Sequence, residues 1–399
     1  MSAKPFYPPT DDFSRYAGAT SHLPKLEVDD LQHAGPPPPP GAGSGPPPVD
    51  PGPDPGARYP WYNPRGWSLR TKLIAGVAVV VVIVAVIVGA VEGTKANRYP
   101  DYSRLEYQLV DTYEPATFLD RFNYFSGEDP TDGFVQYVDQ AGAQWLNLTH
   151  ATENSVVLKV DTTNTNAVNG RQSVRLESKT AYDNGLFIFD ILHTPYGCGT
   201  WPALWLTDPS NWPDNGEIDV LETNNKATDG NAVTLHTTSG CNMKVKRKQT
   251  GTTNYKTCLN STNSNSGCGV QGEPDSYGEA FNNGGGGVYA LELRDAGIRA
   301  WYFHRASIPE DITSGHPDPS TWGTALADFP NTNCYIPSHF RNQSIIANID
   351  LCGQYGAQPQ FYTKQYNCPG KCNDFVRDNP SAFQEAYWEF KSFKVYKGN

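Results

Sequence analysis

Three carboxylates stand close together in the segment Asn215–Glu222, which reads NGEIDVLE. Glu217 and Asp219 are two positions apart, so on a β-strand they face the same side. Glu222 faces the opposite side unless one extra residue is inserted after Asp219, which is a β-bulge. Bulges are favoured beside active sites, where they redirect a side chain. The spacing therefore predicts a bulged strand with all three carboxylates on one face.

Two carboxylates on one face could cleave a glycosidic bond. Side chains that lean together could bring the carboxyl groups of Glu217 and Glu222 to about 5–6 Å, near the separation found in retaining glycosidases. Mutual repulsion would raise the pKa of one of them and keep an acid protonated. Asp219 would hydrogen-bond the nucleophile. A solvated acidic edge strand and a calcium ligand set are the alternatives that the spacing leaves open.

Aromatic residues precede the carboxylates in the sequence. Trp201, Trp205 and Trp212 offer flat apolar faces that suit the C–H face of a sugar ring, although Trp201 would serve equally well in a core. Downstream, the segment 234–237 (TLHT) is predicted to form the neighbouring strand. His236 then faces the carboxylates, or else it is a structural histidine. The pattern predicts a carbohydrate-binding cleft.

The composition excludes several other functions. The chain carries a formal net charge of −11 and no basic cluster, which argues against a nucleic-acid partner. It contains no G-x-S-x-G elbow, no H-E-x-x-H helix and no Walker phosphate loop. Its histidines are scattered. We therefore expect neither a metal site nor another cofactor.

All eight cysteines lie beyond residue 197, and three glycosylation sequons occur beyond residue 140. An even cysteine count in one region predicts disulfides in an oxidising compartment, with 105 possible pairings. Cys368 and Cys372 could alternatively form half of a zinc site. The sequons, which place the same region outside the cytoplasm, are at Asn147, Asn260 and Asn342.

The N-terminal part is unlike the rest. Residues 1–72 hold just over half of the 33 prolines and are predicted to be a disordered cytoplasmic tail, either a solvated extension or a ligand for an SH3 or WW domain. Residues 73–91 (LIAGVAVVVVIVAVIVGAV) carry no charge and would span roughly 28 Å as a helix. More basic residues precede this span than follow it, which predicts a type II single-pass protein of the plasma membrane or secretory pathway.

The remaining chain predicts a stalk at 92–104 and one large domain at 105–399. Segments of alternating polarity recur, as in Ser173–Lys179, and a hairpin is predicted around Asp295-Ala296-Gly297. Convincing amphipathic helices are absent. Many short strands without helices predict an all-β jelly-roll sandwich, and one domain of this size is normal for that class.

The segment GEIDVLE resembles the ExDxxE signature of glycoside hydrolase family 16, in the bulged form of laminarinases and fungal endo-1,3(4)-β-glucanases. The likeness includes HTPYGCGTWPALWLTDPSNWPDNGEIDVLE, TLHTTSGC and NGGGGVYALELRDAGIRAWYF, and it covers roughly residues 105–397. It implies a jelly roll with a concave cleft and hydrolysis with retention. By this resemblance Glu217 is the nucleophile, Asp219 its assisting acid and Glu222 the acid/base. It also implies that Trp205, Trp212 and His236 line the cleft.

The chain departs from the pattern expected of the fungal relatives at a few positions. Cys352-Gly353-Gln354-Tyr355 stands where they often read Cys-Gly-Asp-Trp, so Tyr355 is the expected sugar platform. Leu293 stands where a tryptophan is common, and Asp132 where a histidine is common. The three carboxylates are intact. The preferred linkage is left open by the changed platform.

These observations favour a membrane-anchored endo-β-glucanase acting on β-1,3 or mixed β-1,3/1,4 glucan. A cell-wall transglycosylase would use the same covalent intermediate and is the first alternative. A glucan-binding protein with an inactive site is the second, although a binding protein has no use for a bulge with three acids. An adaptor acting through the Pro-rich tail would leave the large domain unexplained.

Overall fold

The computed structural model describes residues 60–399. Residues 1–59 of the predicted tail therefore lie outside the described residues. The first long element is helix α1, Leu69–Asn97. Its segment Leu69–Val91 has a mean hydropathy of 3.2 and is not buried, and is long and apolar enough to cross a membrane. The helix contains the whole predicted span of 73–91 and continues beyond both of its ends.

The chain beyond Tyr107 folds into two large sheets and one small one, as the alternating pattern predicts. The outer sheet has the order β16-β15-β14-β8-β18-β5-β4, with β1 also paired to β18. Its strands are β1 Tyr107–Tyr113, β4 Thr149–Ala151, β5 Val156–Lys159, β8 Gly185–His193, β14 Gly287–Arg294, β15 Gly297–His304, β16 Ala327–Pro330 and β18 Tyr387–Gly398.

The inner sheet has the order β12-β13-β11-β10-β9-β17-β7-β2 and contains the carboxylate strand. Its strands are β2 Phe122–Tyr124, β7 Arg175–Tyr182, β9 Thr200–Thr207, β10 Glu217–Glu222, β11 Ala232–His236, β12 Thr252–Thr253, β13 Val270–Gln271 and β17 Gln343–Leu351. A parallel pair, β3 Val135–Tyr137 and β6 Arg171–Ser173, stands apart from both sheets.

Helices within the sandwich are short and lie in the connections. They are α2 Gln140–Trp145, α3 Gly278–Asn283, α4 Glu310–Thr313, α5 Ile336–His339, α6 Gly353–Gly356, a π-helix at Gln360–Gln365 and α7 Cys372–Asp378. The predicted hairpin is present as β14 and β15, which pair from Gly287↔His304 to Arg294↔Gly297. The all-β jelly roll is confirmed.

The main core lies between the two sheets. Alternate residues of β8 and β9, among them Phe187, Phe189 and Leu204, are fully buried there. Each such side chain stabilises the fold by about 1.5–3 kcal/mol relative to an exposed one. A smaller second core covers the far side of the outer sheet around Trp301. The inner sheet keeps its other face for polar and aromatic side chains, and this face holds the site.

Four disulfides tie the connections to the sandwich, and no cysteine is free in the described chain. They join Cys198 to Cys368, Cys241 to Cys334, Cys258 to Cys268 and Cys352 to Cys372. The zinc alternative for Cys368 and Cys372 is therefore wrong, because both sulfurs are consumed in separate disulfides and neither can supply a thiolate.

Residues 98–104, within the predicted stalk, dock on the edge of the outer sheet. The hydroxyls of Tyr99 and Tyr102 donate to the carboxylate of Asp328 on β16, at 3.0 and 3.2 Å. The guanidinium of Arg299 lies 4.1 Å from the centre of the Tyr102 ring. Thr332 donates to the carbonyl of Arg98 at 2.9 Å. The chain is thus held against the sandwich from the residue that follows helix α1.

Candidate active site

Strand β10 carries the predicted bulge. It pairs with β9 through Asp219↔Trp205 and then Leu221↔Leu204, so one residue, Val220, is extra. The bulge lets Val220 and Leu221 both point into the core, where each is fully buried. Glu222, the next residue, then points to the opposite face of the sheet, which is the face that Asp219 occupies. The predicted bulge is confirmed, and its apolar pair explains why it is stable.

A buried amide holds the bulge in place. Asn231 on the neighbouring turn accepts a hydrogen bond from the Glu222 backbone N–H at 3.0 Å and donates to the Val220 carbonyl at 2.8 Å. These are backbone groups that a bulge removes from the regular ladder. Asn231 itself is fixed by Ser276, whose hydroxyl accepts its backbone N–H at 2.9 Å. Asn231 therefore sets the position from which Glu222 projects.

Trp212 lies against Glu217. Its indole N–H donates to Oε2 of Glu217, and the residue is 45% exposed, so part of its surface is accessible to a ligand. The loop that presents it is tied down by Asp208, which is buried and accepts from Asn211 and Asn215 at 2.9 and 2.7 Å. Burial works against the charged form of Asp208, but hydrogen bonds from its neighbours lower its pKa well below the usual range.

Trp201 lies against Glu222. Its indole N–H donates to Oε1 of Glu222 at 2.8 Å, so this tryptophan is a partner of the carboxylate rather than a core residue. The Tyr355 ring meets it edge-on, with the ring centroids 5.6 Å apart. Gly353 makes this approach possible, because a Cβ at that position would lie 2.9 Å from the Trp201 ring. Glu217 and Glu222 each thus have their own tryptophan.

His236 on β11 stands directly opposite Glu217 in the strand register. Its Nε2 lies 3.3 Å from Oδ2 of Asp219, an ion-pair distance, but Oδ2 receives no hydrogen bond of good geometry from the described residues. Its Nδ1 is 2.9 Å from Oδ1 of Asn265. The sequence predicts a hydrogen bond between Asp219 and Glu217. The hydrogen bonds among residues 60–399 do not include it, so it stays a prediction.

The pKa values of Asp219, Glu222 and His236 are all raised, which favours their protonated forms. Burial, followed by the negative charges of Glu217 and Glu222, raises the pKa of Asp219 well above its usual value. Desolvation raises the pKa of Glu222 too, although His236 and the Trp201 N–H favour its charged form. Burial disfavours a charged His236, but contact with Asp219 and the nearby carboxylates outweighs burial and raises the pKa of His236 to about 10. A protonated Glu222 is what a general acid requires.

Ligand atoms of Glu217, Asp219 and His236 lie within 4.8 Å of one another, a grouping that could in principle surround an ion. A metal needs a neutral imidazole, so it would have to displace a proton from a histidine whose pKa is raised to about 10. The grouping therefore fits shared protons better than a metal.

Trp205 extends the same face of the sheet away from the carboxylates. Its indole N–H donates to Asn348 at 2.8 Å, and Asn348 in turn donates to the Tyr137 hydroxyl at 3.1 Å. The guanidinium of Arg175 lies 5.1 Å from the centre of the Trp205 ring. The predicted site residues Trp201, Trp205, Trp212, His236 and Tyr355 are thus all near the carboxylates or on their face of the sheet.

Two positions that depart from the fungal pattern contact each other. The side-chain amide of Gln354 donates to Oδ2 of Asp132 at 3.0 Å. Leu293, another such position, is buried in the main core on β14 of the outer sheet. The changed residues that can touch a sugar are therefore confined to one rim, beside Tyr355.

Three residues that contact the site were not predicted from the sequence. Asn231, Asn265 and Asp208 act through side-chain hydrogen bonds to the carboxylate strand, to His236 and to the Trp212 loop. The available signal was weak: each lies in a turn-rich stretch where Asn and Asp are common for local reasons. Only the hydrogen bonds of the folded chain show that these side chains act at the site.

A pair of carboxylates on one aromatic cleft face is the arrangement that most glycosidases use, so the site indicates the class of the protein. The family model of the XgeA-like catalytic GH16 domain matches residues 122–396. A probable glycosidase of Schizosaccharomyces pombe is 46% identical over 305 residues, or 75% of this chain and 72% of that protein. The chain belongs to glycoside hydrolase family 16.

Two further relatives are endo-1,3(4)-β-glucanases or probable ones. An endo-1,3(4)-beta-glucanase of Arthroderma benhamiae is 43% identical over 73% of this chain and 65% of its own length. A probable endo-1,3(4)-beta-glucanase of Aspergillus flavus is 39% identical over 74% of this chain and 45% of its own length. The chain thus spans less than two thirds of these two relatives. The sandwich is similar in sequence to the matched parts of these two endo-1,3(4)-β-glucanases.

Two solved structures agree with this assignment. Laminarinase 16A from Phanerochaete chrysosporium, with 6-O-glucosyl-laminaritriose in its donor and acceptor sites, is 43% identical, with a TM-score of 0.71 over 73% of this chain and 99% of that one. An elongating family 16 β-1,3-glucosyltransferase is 40% identical, with a TM-score of 0.68 over 73% of this chain and 100% of that one.

Proposed function

We propose that this protein cleaves β-1,3 or mixed β-1,3/1,4 glucan within the chain and with retention at the anomeric carbon. The observation that carries the proposal is the bulge in β10, which leaves the two carboxylates on one face of the sheet. Each accepts an N–H from its own tryptophan, and desolvation raises the pKa of Glu222. One carboxylate is thereby suited to attack and the other to donate a proton.

The proposed reaction has two displacements. In the first, a Glu217 oxygen bonds to the anomeric carbon while the Glu222 carboxylic acid gives its proton to the departing glycosidic oxygen. In the second, Glu222, now a carboxylate, takes a proton from water, whose oxygen replaces Glu217 at the same carbon. His236 and Asp219 hold compensating charge beside Glu217 as its own charge is lost.

Transglycosylation is the second candidate, and one comparison favours it. The elongating glucosyltransferase is nearly as similar to this chain as the laminarinase is. In transfer, a sugar hydroxyl replaces water in the second displacement, so every residue role is unchanged. The rim formed by Asp132, Gln354 and Tyr355 differs from the expected fungal pattern and would influence which acceptor is held.

The test uses the full chain in detergent micelles, with disulfides intact, on laminarin, lichenan and β-1,6-glucan. Reducing ends and product sizes are followed together, and ¹H NMR of the first products reports the anomeric configuration. We expect shortened β-configured products from laminarin or lichenan, and longer products at high oligosaccharide concentration if transfer competes. Inverted products, or no change in any glucan, would refute the proposal.

Three variants assign the roles. Glu217→Gln should lower kcat by at least about 10³-fold, because the nucleophile is lost. Glu222→Gln should lower kcat by about 10²–10⁴-fold on laminarin and far less on an aryl laminaribioside with a good leaving group. Glu389→Gln, on the outer sheet, is the matched control and should leave kcat unchanged. An inactive glucan-binding protein would instead keep its affinity in all three and release no sugar.

We further propose that helix α1 anchors the sandwich on the non-cytoplasmic side of a membrane. Four disulfides and three sequons support this topology. Asn147 and Asn342 are exposed and Asn260 is half-buried, so at least two sequons are on the surface as glycosylation needs. Mass shifts after glycosidase digestion, together with protease protection of the sandwich in sealed vesicles, test the topology. An unglycosylated, unprotected sandwich would refute it.

The N-terminal tail adds one more proposal. Its proline runs are suited to an SH3- or WW-type domain on the cytoplasmic side, since such domains bind preformed polyproline II segments. A synthetic peptide of residues 31–56 titrated against a panel of such domains tests this. Absence of saturable binding would leave the tail as a solvated extension.

A further inference from the structure

A disulfide-closed loop passes directly against the ring of His236. It runs between Cys258 and Cys268, which are bonded to each other. Gly267 marks the closest approach, because a Cβ there would lie 2.6 Å from the Leu235 carbonyl and 2.9 Å from Cε1 of His236. The Cys268 N–H donates to the same carbonyl at 3.1 Å. The loop is therefore seated on β11 by backbone contacts.

The tip of this loop has an unusual backbone. Asn263, Ser264 and Asn265 have φ angles of 50°, 54° and 59°, all in the left-handed region. Non-glycine residues in that region cost free energy, and such residues collect at functional sites when the surrounding fold holds them there. Here the disulfide and the bond from the Asn265 N–H to the Thr262 carbonyl, at 3.0 Å, hold the tip.

This backbone aims one side chain at the site. Oδ1 of Asn265 lies 2.9 Å from Nδ1 of His236, a histidine that is 5% exposed. An amide oxygen accepts but never donates, so the proton of this bond belongs to Nδ1. The other ring nitrogen, Nε2, is the one that lies 3.3 Å from Asp219. Asn265 thus decides which nitrogen of His236 faces the carboxylates.

We propose that Asn265 is a positioning residue for glycosyl transfer, acting through His236 on Asp219. It fixes the imidazole ring with a proton on Nδ1, so that Nε2 is held at Asp219 without reorganisation when Glu217 loses its charge. The inference rests on the proposed function for the effect on rate. The orientation of the His236 ring follows from geometry alone and can be measured without an activity assay.

Three acidic side chains and one amide face the His236 ring. Asp219 and Glu217 come from β10, Glu222 completes the acidic set, and Asn265 is the neutral partner from the loop. All three acidic groups stabilise a positive ring, whereas Asn265 contributes direction rather than charge. Loss of Asn265 should therefore change the orientation of the ring more than the charge around it.

The test compares two glycine substitutions in the full chain. Asn265→Gly and Asn263→Gly both relieve a left-handed residue, so their backbone effects match, but only the first removes a partner of His236. We expect Asn265→Gly to lower kcat on laminarin by about 10–100-fold with KM changed less than about twofold. Asn263→Gly should leave both constants as in the wild type. Asn265→Asp keeps the acceptor oxygen and should recover most of the lost kcat.

A spectroscopic measurement separates this inference from the proposed function. Below its pKa of about 10, His236 carries a proton on both ring nitrogens, so the ¹⁵N shifts of the ring are followed through that pKa, above which they report which nitrogen keeps its proton. In the wild type and Asn263→Gly we expect protonated Nδ1 throughout the titration, and in Asn265→Gly exchange between ring orientations. Equal kcat in the two glycine variants, or an unchanged ring spectrum in Asn265→Gly, would overturn the proposal. If no glucan is cleaved at all, the ring spectra still decide it.

Discussion

Two buried carboxylates in this sandwich are surrounded in opposite ways. On the outer sheet, Glu292 is 1% exposed and accepts hydrogen bonds from Arg299 at 2.8 and 2.6 Å and from the Tyr107 hydroxyl at 2.7 Å. On the inner sheet, Asp219 is 2% exposed, and its ion pair in the described chain is with His236 at 3.3 Å. Oδ2 of Asp219 has no hydrogen-bond donor there.

The difference separates a structural acid from an acid that is kept for chemistry. A carboxylate held by a guanidinium fork is fixed in its charged form and binds its surroundings together. A carboxylate that shares its site with two others and lacks donors holds a proton more easily, at a cost to stability. The same residue class therefore stabilises one face of the sandwich and strains the other.

The largest effect is expected from Glu292→Gln. This change leaves the Arg299 guanidinium, whose side chain is 13% exposed, without its countercharge, and such losses cost about 3–5 kcal/mol at buried pairs. We expect the free energy of unfolding to fall by that amount, while kcat on laminarin at 25 °C is unchanged. Denaturant unfolding of the full chain in micelles measures it. An unfolding free energy within 1 kcal/mol of the wild type would contradict the structural role assigned to the pair.

Asn231→Leu should affect both stability and activity. Leucine has a similar size but cannot satisfy the Glu222 N–H or the Val220 carbonyl, and two unpaired backbone groups cost about 2–4 kcal/mol together. The bulge should relax, and kcat should fall by about tenfold or more because Glu222 moves. If kcat is unchanged while stability falls, the burial of Val220 and Leu221 alone is enough to set the bulge.

The contrast between local and distant information explains what the sequence could predict. Strand faces and the bulge follow from the two-residue period and the positions of Glu217, Asp219 and Glu222, all within one strand. The transmembrane candidate follows from local hydropathy alone. These features are local, so they were predictable and agree with β10 and helix α1.

Features that depend on distant contacts were beyond the sequence. Asn265 reaches His236 across 29 positions and only because a disulfide closes the loop between them and the sheet. The four pairings among eight cysteines depend on which loops meet in the folded sandwich. The docking of Tyr99 and Tyr102 on Asp328 likewise joins segments more than two hundred positions apart. No local pattern contains these distances.

Asp219→Asn should show the opposite sign of stability change from Glu292→Gln, although both replace a carboxylate by an amide. The pKa of Asp219 is raised in the folded state, so the folded protein is favoured below the usual pKa of about 4 and loses this advantage as pH rises. Removing the group should therefore stabilise the protein at pH 7 by about 1–2 kcal/mol, while activity falls.

The stability difference between Asp219→Asn and the wild type should depend on pH. The stabilisation by Asp219→Asn should be largest at neutral pH and shrink towards pH 4, where both proteins carry a neutral side chain at this position. Unfolding curves of both proteins between pH 4 and 8 measure the difference. A variant that is less stable than the wild type at pH 7 would show that the ion pair with His236 outweighs the repulsion from Glu217 and Glu222.

The smallest effect is expected from Trp201→Phe, which should move the alkaline limb of the activity profile. The Trp201 N–H stabilises the charged form of Glu222, so its removal should raise the pKa of Glu222 further. Glu222 acts as the acid when protonated, and the alkaline limb of kcat/KM should therefore shift to higher pH. Trp205→Phe is the matched control, because its N–H bonds Asn348 and not a carboxylate. A limb that moves equally in both variants would mean that loss of aromatic packing, rather than the hydrogen bond to Glu222, controls the profile.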